Sequence, residues 1–315
     1  MRQNVDNHGA DNAVGDELNE HRHLTLFDQY RSLLFSIAYR MLGIVADAED
    51  MIQEAFIRWQ GVSLTEVESP RAFLVTIVSR LCINHLQLAR VQREEYLGPW
   101  LPEPLLTADV PDPSEAVAID ESLSIGFLFL LERLTPTERA VFLLREVFEY
   151  DYGEIAQITQ LTDSNCRQLL RRARKHIIQE RPRFDPSPDK RDEMLEKFLW
   201  AAAGKDMDSL VRMLADDIVL YTDGGGKATA LPLPIYGPAN VARLLGMAFV
   251  KFTPENALIR RTLINGQAGI LGYENGVART ALILNIADGL IRNVYILRNP
   301  EKLVSIPILS TELVC

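Results

Sequence analysis

The chain has 315 residues, 47% hydrophobic and 24% charged, with a formal net charge of −10; this is room for two or three soluble domains of ordinary globular composition. No stretch approaches the roughly 18 consecutive apolar residues of a membrane helix, and the polar start Met1-Arg2-Gln3-Asn4-Val5-Asp6 lacks the apolar segment of a secretory signal. Of Cys82, Cys166 and Cys315 no two are spaced as a metal pair, and an odd count does not make a disulfide framework, so a reduced, cytoplasmic protein with no metal, no cofactor and no membrane partner is expected.

Residues 1–23 are polar, show no repeating apolar face and read as a disordered leader, with His8, His21 and His23 as solvated tail residues. From Leu24 the pattern is helical. Leu33, Leu34, Ile37, Ala38 and Met41 recur at helical steps until Gly43. Asp47 opens a second helix, DAEDMIQEAFIRW, with Asp47, Glu49 and Asp50 crowding the end that the helix dipole favours for acids. A third helix starts at Pro70. Phe73, Leu74, Ile77, Val78 and Leu81 form its apolar stripe, and Ser79, Arg80, Asn84, Gln87 and Arg90 its other face.

Five prolines between residues 98 and 120 mark a linker, which holds the run Trp100-Leu101-Pro102-Glu103-Pro104. A tryptophan in a tether is unusual, because an exposed indole normally finds a partner surface. Helices resume near Ser122, and Thr135-Pro136-Thr137-Glu138 is a capping box with proline at the first helical position. A short helix over 152–158, a break at Gln160-Leu161-Thr162 and a basic helix over 163–178 make a helix-turn-helix pattern. In that motif the first turns of the second helix reach base edges, which nominates Ser164, Asn165, Arg167, Gln168 and Arg171. Arg172, Arg174 and Lys175 are placed to clamp phosphates.

The acidic total argues against a nucleic-acid partner, but the charge is segregated. Arg71–Arg93 holds four arginines and no acid, Glu94–Glu121 eight acids and no base, and Gln160–Arg183 seven bases against two acids. Solvated helix faces account readily for one basic island, less so for two across an acidic bridge.

A second linker is expected over 183–191, where Pro186 and Pro188 fall. Helices follow over 192–203 and 207–214, then a strand at Ile218–Tyr221, a glycine-rich turn and a helix near 239–249. Strands over 257–263, 267–273, 277–286 and 289–297 are joined at Asn265-Gly266, Asn275-Gly276 and Asp288-Gly289. Three helices and an antiparallel meander make an α+β domain.

DAEDMIQEAFIRW, the basic helix after it, the linker and the helix-turn-helix together resemble the extracytoplasmic-function sigma factors of bacterial RNA polymerase, over roughly Leu24 to Pro182. The resemblance implies that Asp47, Glu49, Asp50, Gln53, Glu54 and Phe56 dock on core polymerase. It implies that the third helix melts and reads the minus-ten element and that the helix-turn-helix reads the minus-thirty-five element. Capturing a displaced strand and a flipped base needs a basic surface, and Arg71, Arg80, Arg90 and Arg93 with Ser79, Asn84 and Gln87 supply one. Two positions depart from the family pattern. Arg80 stands where many members carry asparagine, and Gln160 where the turn usually has glycine, a left-handed position that a side chain makes about 1 kcal/mol less favourable.

The linker motif, Asp223-Gly224-Gly225-Gly226-Lys227 and Asn299-Pro300-Glu301-Lys302-Leu303 resemble the subgroup fused to a SnoaL-like domain, of the mycobacterial sigma-J type. Residues 190–315 are then similar to the cone-shaped polyketide cyclases and ketosteroid isomerases. The implied fold class is multidomain: two all-α helical sigma domains, the second a helix-turn-helix, plus an α+β cone with an antiparallel sheet. The implied division is 24–97, linker 98–120, 121–182, linker 183–191 and 192–315, the last regulating the others in cis through Trp100, Leu101, Pro102, Asp223, Gly224, Gly225, Gly226, Lys227, Asn299, Pro300 and Lys302. Core RNA polymerase and promoter DNA are the partners implied, with a small-molecule ligand of the C-terminal domain open. The alternative is a ligand-sensing or isomerase-like enzyme whose helix-turn-helix is a plain regulator. Tyr221, Asp223 and Glu274 are its candidate pocket residues, but a solvated surface position is the simpler reading of Asp223. No histidine follows His176, which excludes a His-Asp dyad there. The triple glycine lacks the residues of a phosphate-binding loop, Tyr221 and Ala228 standing in their places, and reads best as a tight turn.

Overall fold

In the computed structural model, residues 7–94, 96–107, 121–177, 188–204, 206–252 and 257–309 are described. Three helices come first: α1 (Asn7–Leu42), α2 (Val45–Gln60) and α3 (Pro70–Glu94). Helix α1 begins at Asn7, so the expected disordered leader is helical from there on. His23, read as a solvated tail residue, is buried. Its Nε2 donates to the Val62 carbonyl at 2.9 Å, and its own carbonyl accepts the Trp59 indole N–H at 2.9 Å. A buried indole needs an acceptor, and the last leader residue provides it. Gly43 ends α1 at a φ of +70°. A Cβ there would stand 3.0 Å from the Trp100 ring, so the glycine serves both the turn and the approach of the indole.

Four further helices follow the linker: α4 (Ile125–Leu131), α5 (Pro136–Glu146), α6 (Tyr152–Thr159) and α7 (Asp163–Ile177). The Thr135–Glu138 capping box is present, and a second box, Asp151–Glu154, starts α6. Helix α6 ends on Gln160 in the left-handed region at a φ of +58°. Cys166, Leu170, Ala173 and Ile177 form the buried stripe of α7. One apolar core unites α1–α3 with α4–α7. Two buried arginines tie the groups together: Arg40 Nε donates to Ser122 Oγ at 2.8 Å, and Arg139 donates to the Met41 carbonyl at 2.6 Å while pairing with Glu132 at 2.7 Å. The Pro70–Ala89 part of α3 is long and apolar enough to match a membrane span, but its stripe of Leu74, Val75, Val78, Cys82 and Leu86 is buried in this core.

The C-terminal part comprises α8 (Pro188–Gly204), α9 (Met207–Met213), β1 (Leu214–Asp223), β2 (Ile235–Tyr236), α10 (Pro238–Phe252), β3 (Leu258–Ile264), β4 (Gln267–Glu274), β5 (Val277–Ala287) and β6 (Leu290–Leu297). Helix α8 overruns the end of the expected second linker, because proline fits a first helical turn, where its missing N–H is not needed; residues 183–187 of that linker lie outside the described residues. The sheet order is β2-β1-β6-β5-β4-β3. It is mixed rather than wholly antiparallel as expected, since β1 runs parallel to β6. The cause is chain order: β1 enters before α10, and the meander β3–β6 ends by bringing β6 alongside it.

Helices α8–α10 cover one face of the sheet and enclose a core with Leu220, Ile270, Leu282, Leu284 and Val294. The opposite face presents Leu271, Tyr273, Ile283, Tyr295 and Leu297, and this layer is completed by Leu101 and Leu106 of the linker and Ile125 and Phe129 of α4. The sheet is therefore shared between the C-terminal domain and the helical half.

Replacing Gln160 by glycine should stabilise the protein by about 0.5 kcal/mol at most, the left-handed strain relieved being set against the added freedom of the unfolded chain. A higher urea midpoint for the helical circular dichroism signal checks this.

Candidate nucleic-acid and interdomain interfaces

Asp223, at the end of β1, has 0% exposure. Its Oδ1 accepts from the Tyr96 hydroxyl at 2.5 Å and the Gly225 amide at 3.0 Å, and its Oδ2 from the Leu101 amide at 2.9 Å and Lys302 Nζ at 2.7 Å. Lys302, 4% exposed, also donates to the Leu101 carbonyl at 2.5 Å and sits 4.0 Å from the centre of the Trp100 ring and 4.9 Å from that of Tyr96. Asn299 donates to the Tyr96 hydroxyl at 3.0 Å. Gly225 holds a φ of +60° against the Asn299 amide, where a Cβ would collide. Lys227 pairs with Glu301 at the surface. Burial, reinforced by the bond to Asp223, pushes the Tyr96 phenol pKa up, so Tyr96 remains a donor.

Asp223 is thus neither a solvated surface acid nor a pocket base. A carboxylate out of water requires several donors and a countercharge, and the linker and Lys302 provide them. All the regulatory candidates lie in or beside this cluster: Trp100–Pro102, Asp223–Lys227, and Asn299 and Pro300 leading to Lys302. Tyr221 faces away from the C-terminal cavity as well. It stacks on Tyr295 at 5.7 Å and meets the Phe129 ring of α4 edge-on at 5.1 Å.

The linker is held a second time a few residues on. Glu103, 3% exposed, accepts the Val45 amide at 2.7 Å and so caps the N-terminus of α2. Its own amide donates to the Gly43 carbonyl at 2.8 Å, and its carbonyl accepts the Tyr39 hydroxyl at 2.6 Å. Burial raises the Glu103 pKa, opposed by bonds from Ser305 and from the Val45 and Ala46 amides. Asn265 in the β3–β4 turn donates to Tyr39 Oη at 2.7 Å and the Leu123 carbonyl at 2.9 Å, and its side-chain oxygen accepts the Leu105 amide at 2.8 Å. Leu106 bridges Ile264 as a short antiparallel addition to the sheet.

The acids expected at a polymerase interface lie on α2. Asp50 and Gln53 are exposed and Glu54 half-buried. Asp47 lies 3.2 Å from His85, Glu49 2.6 Å from Arg31 and Glu54 2.8 Å from Arg58. Phe56 is half-buried, edge-on to Phe27 at 4.9 Å. On α3, Arg71, Asn84 and Gln87 are exposed, but Ser79 is not. Its position, one beyond Val78 and three before Cys82, puts it inside the apolar stripe, which removes it from the expected DNA face. The side chains of Arg90 and Arg93 lie outside the described residues. On α7, Ser164, Asn165, Arg167, Gln168, Arg171, Arg172, Arg174 and Lys175 are all exposed. Arg167 stacks 4.0 Å from the centre of the Tyr152 ring, and Arg174 pairs with Glu146 at 2.8 Å.

Sigma-70 region 2 matches residues 26–91, and Sigma-70, region 4 matches residues 126–177. The chain is 33% identical over 295 residues to the ECF RNA polymerase sigma factor SigJ of Mycobacterium tuberculosis, covering 90% of this chain and 93% of that one. It belongs to the ECF sigma factors. A probable ECF sigma factor of the same organism, SigI, is 29% identical over 276 residues, covering 87% and 92% of the two chains. The crystal structure of M. tuberculosis SigJ matches with a TM-score of 0.71 and 31% identity, over 89% of this chain and 97% of that one. As a sigma factor the protein is not an enzyme; it directs transcription initiation, and its partners are core RNA polymerase and promoter DNA. The described residues between 188 and 309 form the α+β part of this sigma factor, built on the mixed six-stranded sheet.

Sequence reading missed Tyr96, Glu103, Asn265, Tyr39 and Gln267, whose side-chain oxygen accepts the Ile125 amide at 3.0 Å; all of them join this sigma factor's halves. One cue was present: Glu103 lies between Pro102 and Pro104 inside the apolar run Trp100–Leu106 of the linker. Asn265 was legible only as a turn residue. In the C-terminal domain, Leu245, Ile259, Ile270, Leu282 and Ile296 wall a cavity of about 110 Å³, with Glu274, Arg279 and Arg298 at its polar part. Arg298 also donates to the Thr229 carbonyl at 3.0 Å, and burial lowers its pKa while Glu274 opposes that.

Lys302→Met should destabilise the sigma factor by about 3–5 kcal/mol, because it strands the Asp223 carboxylate without a countercharge. Adding Asp223→Asn should recover part of that loss. Hydrogen exchange at the Leu101 amide, faster in the single variant than in the double, checks both.

Proposed function

We propose that the C-terminal domain regulates the sigma core in cis by gripping the interdomain linker, and that the helical half carries three separate surfaces. In this reading residues 24–97 form the polymerase-docking and minus-ten unit, 121–182 the minus-thirty-five unit and 192–315 the regulator. Asp47, Glu49, Asp50, Gln53, Glu54 and Phe56 of α2 meet core polymerase. Arg71, Arg80, Asn84, Gln87, Arg90 and Arg93 of α3 meet the opened minus-ten strand, without Ser79. Ser164, Asn165, Arg167, Gln168 and Arg171 of α7 read the minus-thirty-five bases, with Arg172, Arg174 and Lys175 on phosphates. Work on core polymerase places the protein in the cytoplasm.

The observation that carries the regulatory reading is the Asp223–Lys302 pair closed on Tyr96, Trp100 and Leu101. Promoter engagement sets the separation between the two DNA readers, and a linker fixed to the sheet and to α2 cannot extend to meet it. The grip therefore suppresses initiation until it is loosened. The cavity between α10 and the sheet is where a small-molecule ligand of this domain would enter, since Arg298 reaches from it to the chain just after the glycine turn.

The test is transcription in vitro with core polymerase, comparing the full chain with its Trp100→Ala variant, which removes the ring facing Lys302 and Gly43. Output from the cognate promoter should rise severalfold. Equal output from the two proteins sinks the regulatory reading.

Base readout is tested separately. Arg171→Ala or Gln168→Ala should weaken promoter binding by about 1–3 kcal/mol and relax preference at particular positions, whereas Lys175→Ala should weaken all sequences alike. Competition binding over a set of single-base variants of the minus-thirty-five element distinguishes the two patterns.

A further inference from the structure

Helices α3 and α6 pack against each other, and Arg80 spans their contact. Arg80 is half-buried on α3. Its Nε donates to the Ile158 carbonyl at 2.9 Å and its Nη2 to the Gln157 carbonyl at 2.8 Å. Both carbonyls lie in the last turn of α6, where the helix supplies no further amide donors and the dipole favours a cation. The amide of Leu161, which would otherwise serve Gln157, bonds to the Ala156 carbonyl instead as the chain turns through Gln160. Arg80 thus ends the first helix of the helix-turn-helix from another domain. A second contact lies in the same interface: the Arg71 guanidinium sits 5.0 Å from the centre of the ring of Tyr150, which is buried just before α6.

We propose that Arg80 is a latch that holds the helix-turn-helix against α3, and that promoter DNA must displace it. The guanidinium that closes the latch is among those offered to the minus-ten strand, and both of its engaged nitrogens are used in the closed form. A phosphate or base edge gripped side-on, through Nε and Nη2, takes Arg80 only as Gln157 and Ile158 give it up, so that mode of DNA binding at α3 and separation of the two DNA readers become one event. The functional half of this inference rests on the reading of α3 as the minus-ten surface; the latch itself rests on the geometry alone. Asparagine is too short to reach both carbonyls, so a chain with asparagine at this position lacks the latch.

The test uses the full chain without DNA or polymerase. Spin labels are placed at the exposed positions Glu68 and His176 through Glu68→Cys and His176→Cys in a Cys315→Ser background, Cys82 and Cys166 being buried. Interspin distances are then compared among Arg80, Arg80→Asn and Arg80→Lys proteins. Arg80→Asn should raise the ratio of separated to closed populations about a hundredfold or more, the scale expected for two charge-assisted hydrogen bonds. Arg80→Lys, which keeps the charge but not the forked donors, should fall between. Distance distributions that superimpose for all three proteins overturn the latch, whatever the DNA affinity. Forked minus-ten DNA binding by an Asn84→Ala variant tests the reading of α3 on its own, so failure of the one is not confused with failure of the other.

Discussion

A carboxylate removed from water has to be met by donors, and at Asp223 those donors come from parts of the chain far apart in sequence. The stretch after α3 provides Tyr96, the linker the Leu101 amide, the adjoining turn Gly225, and the turn after β6 Lys302. None of these is dispensable without leaving a buried charge poorly paired. Trp100 completes the arrangement by placing its ring against the Lys302 ammonium, where a partly desolvated cation gains from an aromatic face. The linker path, the conformation of the glycine turn and the short helical turn at Pro300–Lys302 all follow from satisfying this one group.

The apolar layers tell the same story. This sheet is apolar on both faces, and α8–α10 cover only one. Leu101, Leu106, Ile125 and Phe129 supply the other, so the C-terminal domain does not close its own core. This is a different relation from two beads on a string. Separating the halves exposes Leu271, Ile283 and Leu297 together with the polar groups of Asp223 and Asn265, and a small rearrangement of the linker is therefore favoured over complete detachment.

Much of the architecture was legible because it depends on local rules. The Thr135 box, the glycine after α1, the amphipathic α7 and the Asn-Gly turns each follow from a few neighbouring residues, and they fall where the pattern puts them. What depended on distant partners was not legible. Ser79 looks like a surface residue until the helix is phased against its neighbours, and Asp223 looks solvated until the linker lies over it. His23 belongs to a polar leader by composition, yet Trp59, far along the chain, needs its carbonyl. The parallel pairing of β1 with β6 follows from the path of the whole chain rather than from either strand. The linker motif, the glycine turn and the Asn299–Leu303 segment were recognisable as a set, whereas the charge pairing that unites them needed the fold.

The two holds on the linker are also coupled. Glu103 caps α2, and only one residue, Pro102, separates it from Leu101, which bonds both Asp223 and Lys302. Prolines on either side of Glu103 restrict the backbone, so the segment moves as a unit rather than absorbing a displacement at one end. A change at the N-terminus of α2 that pulls Glu103 away therefore strains the Leu101 bonds, and a change around Asp223 that shifts Leu101 uncaps α2. Coupling of this kind is reciprocal: if loosening the cluster alters binding at α2, binding at α2 must loosen the cluster by the same free energy. The regulation proposed above therefore needs no separate dissociation step, because an occupant of α2 and the grip on the linker act on one short, stiff stretch of chain.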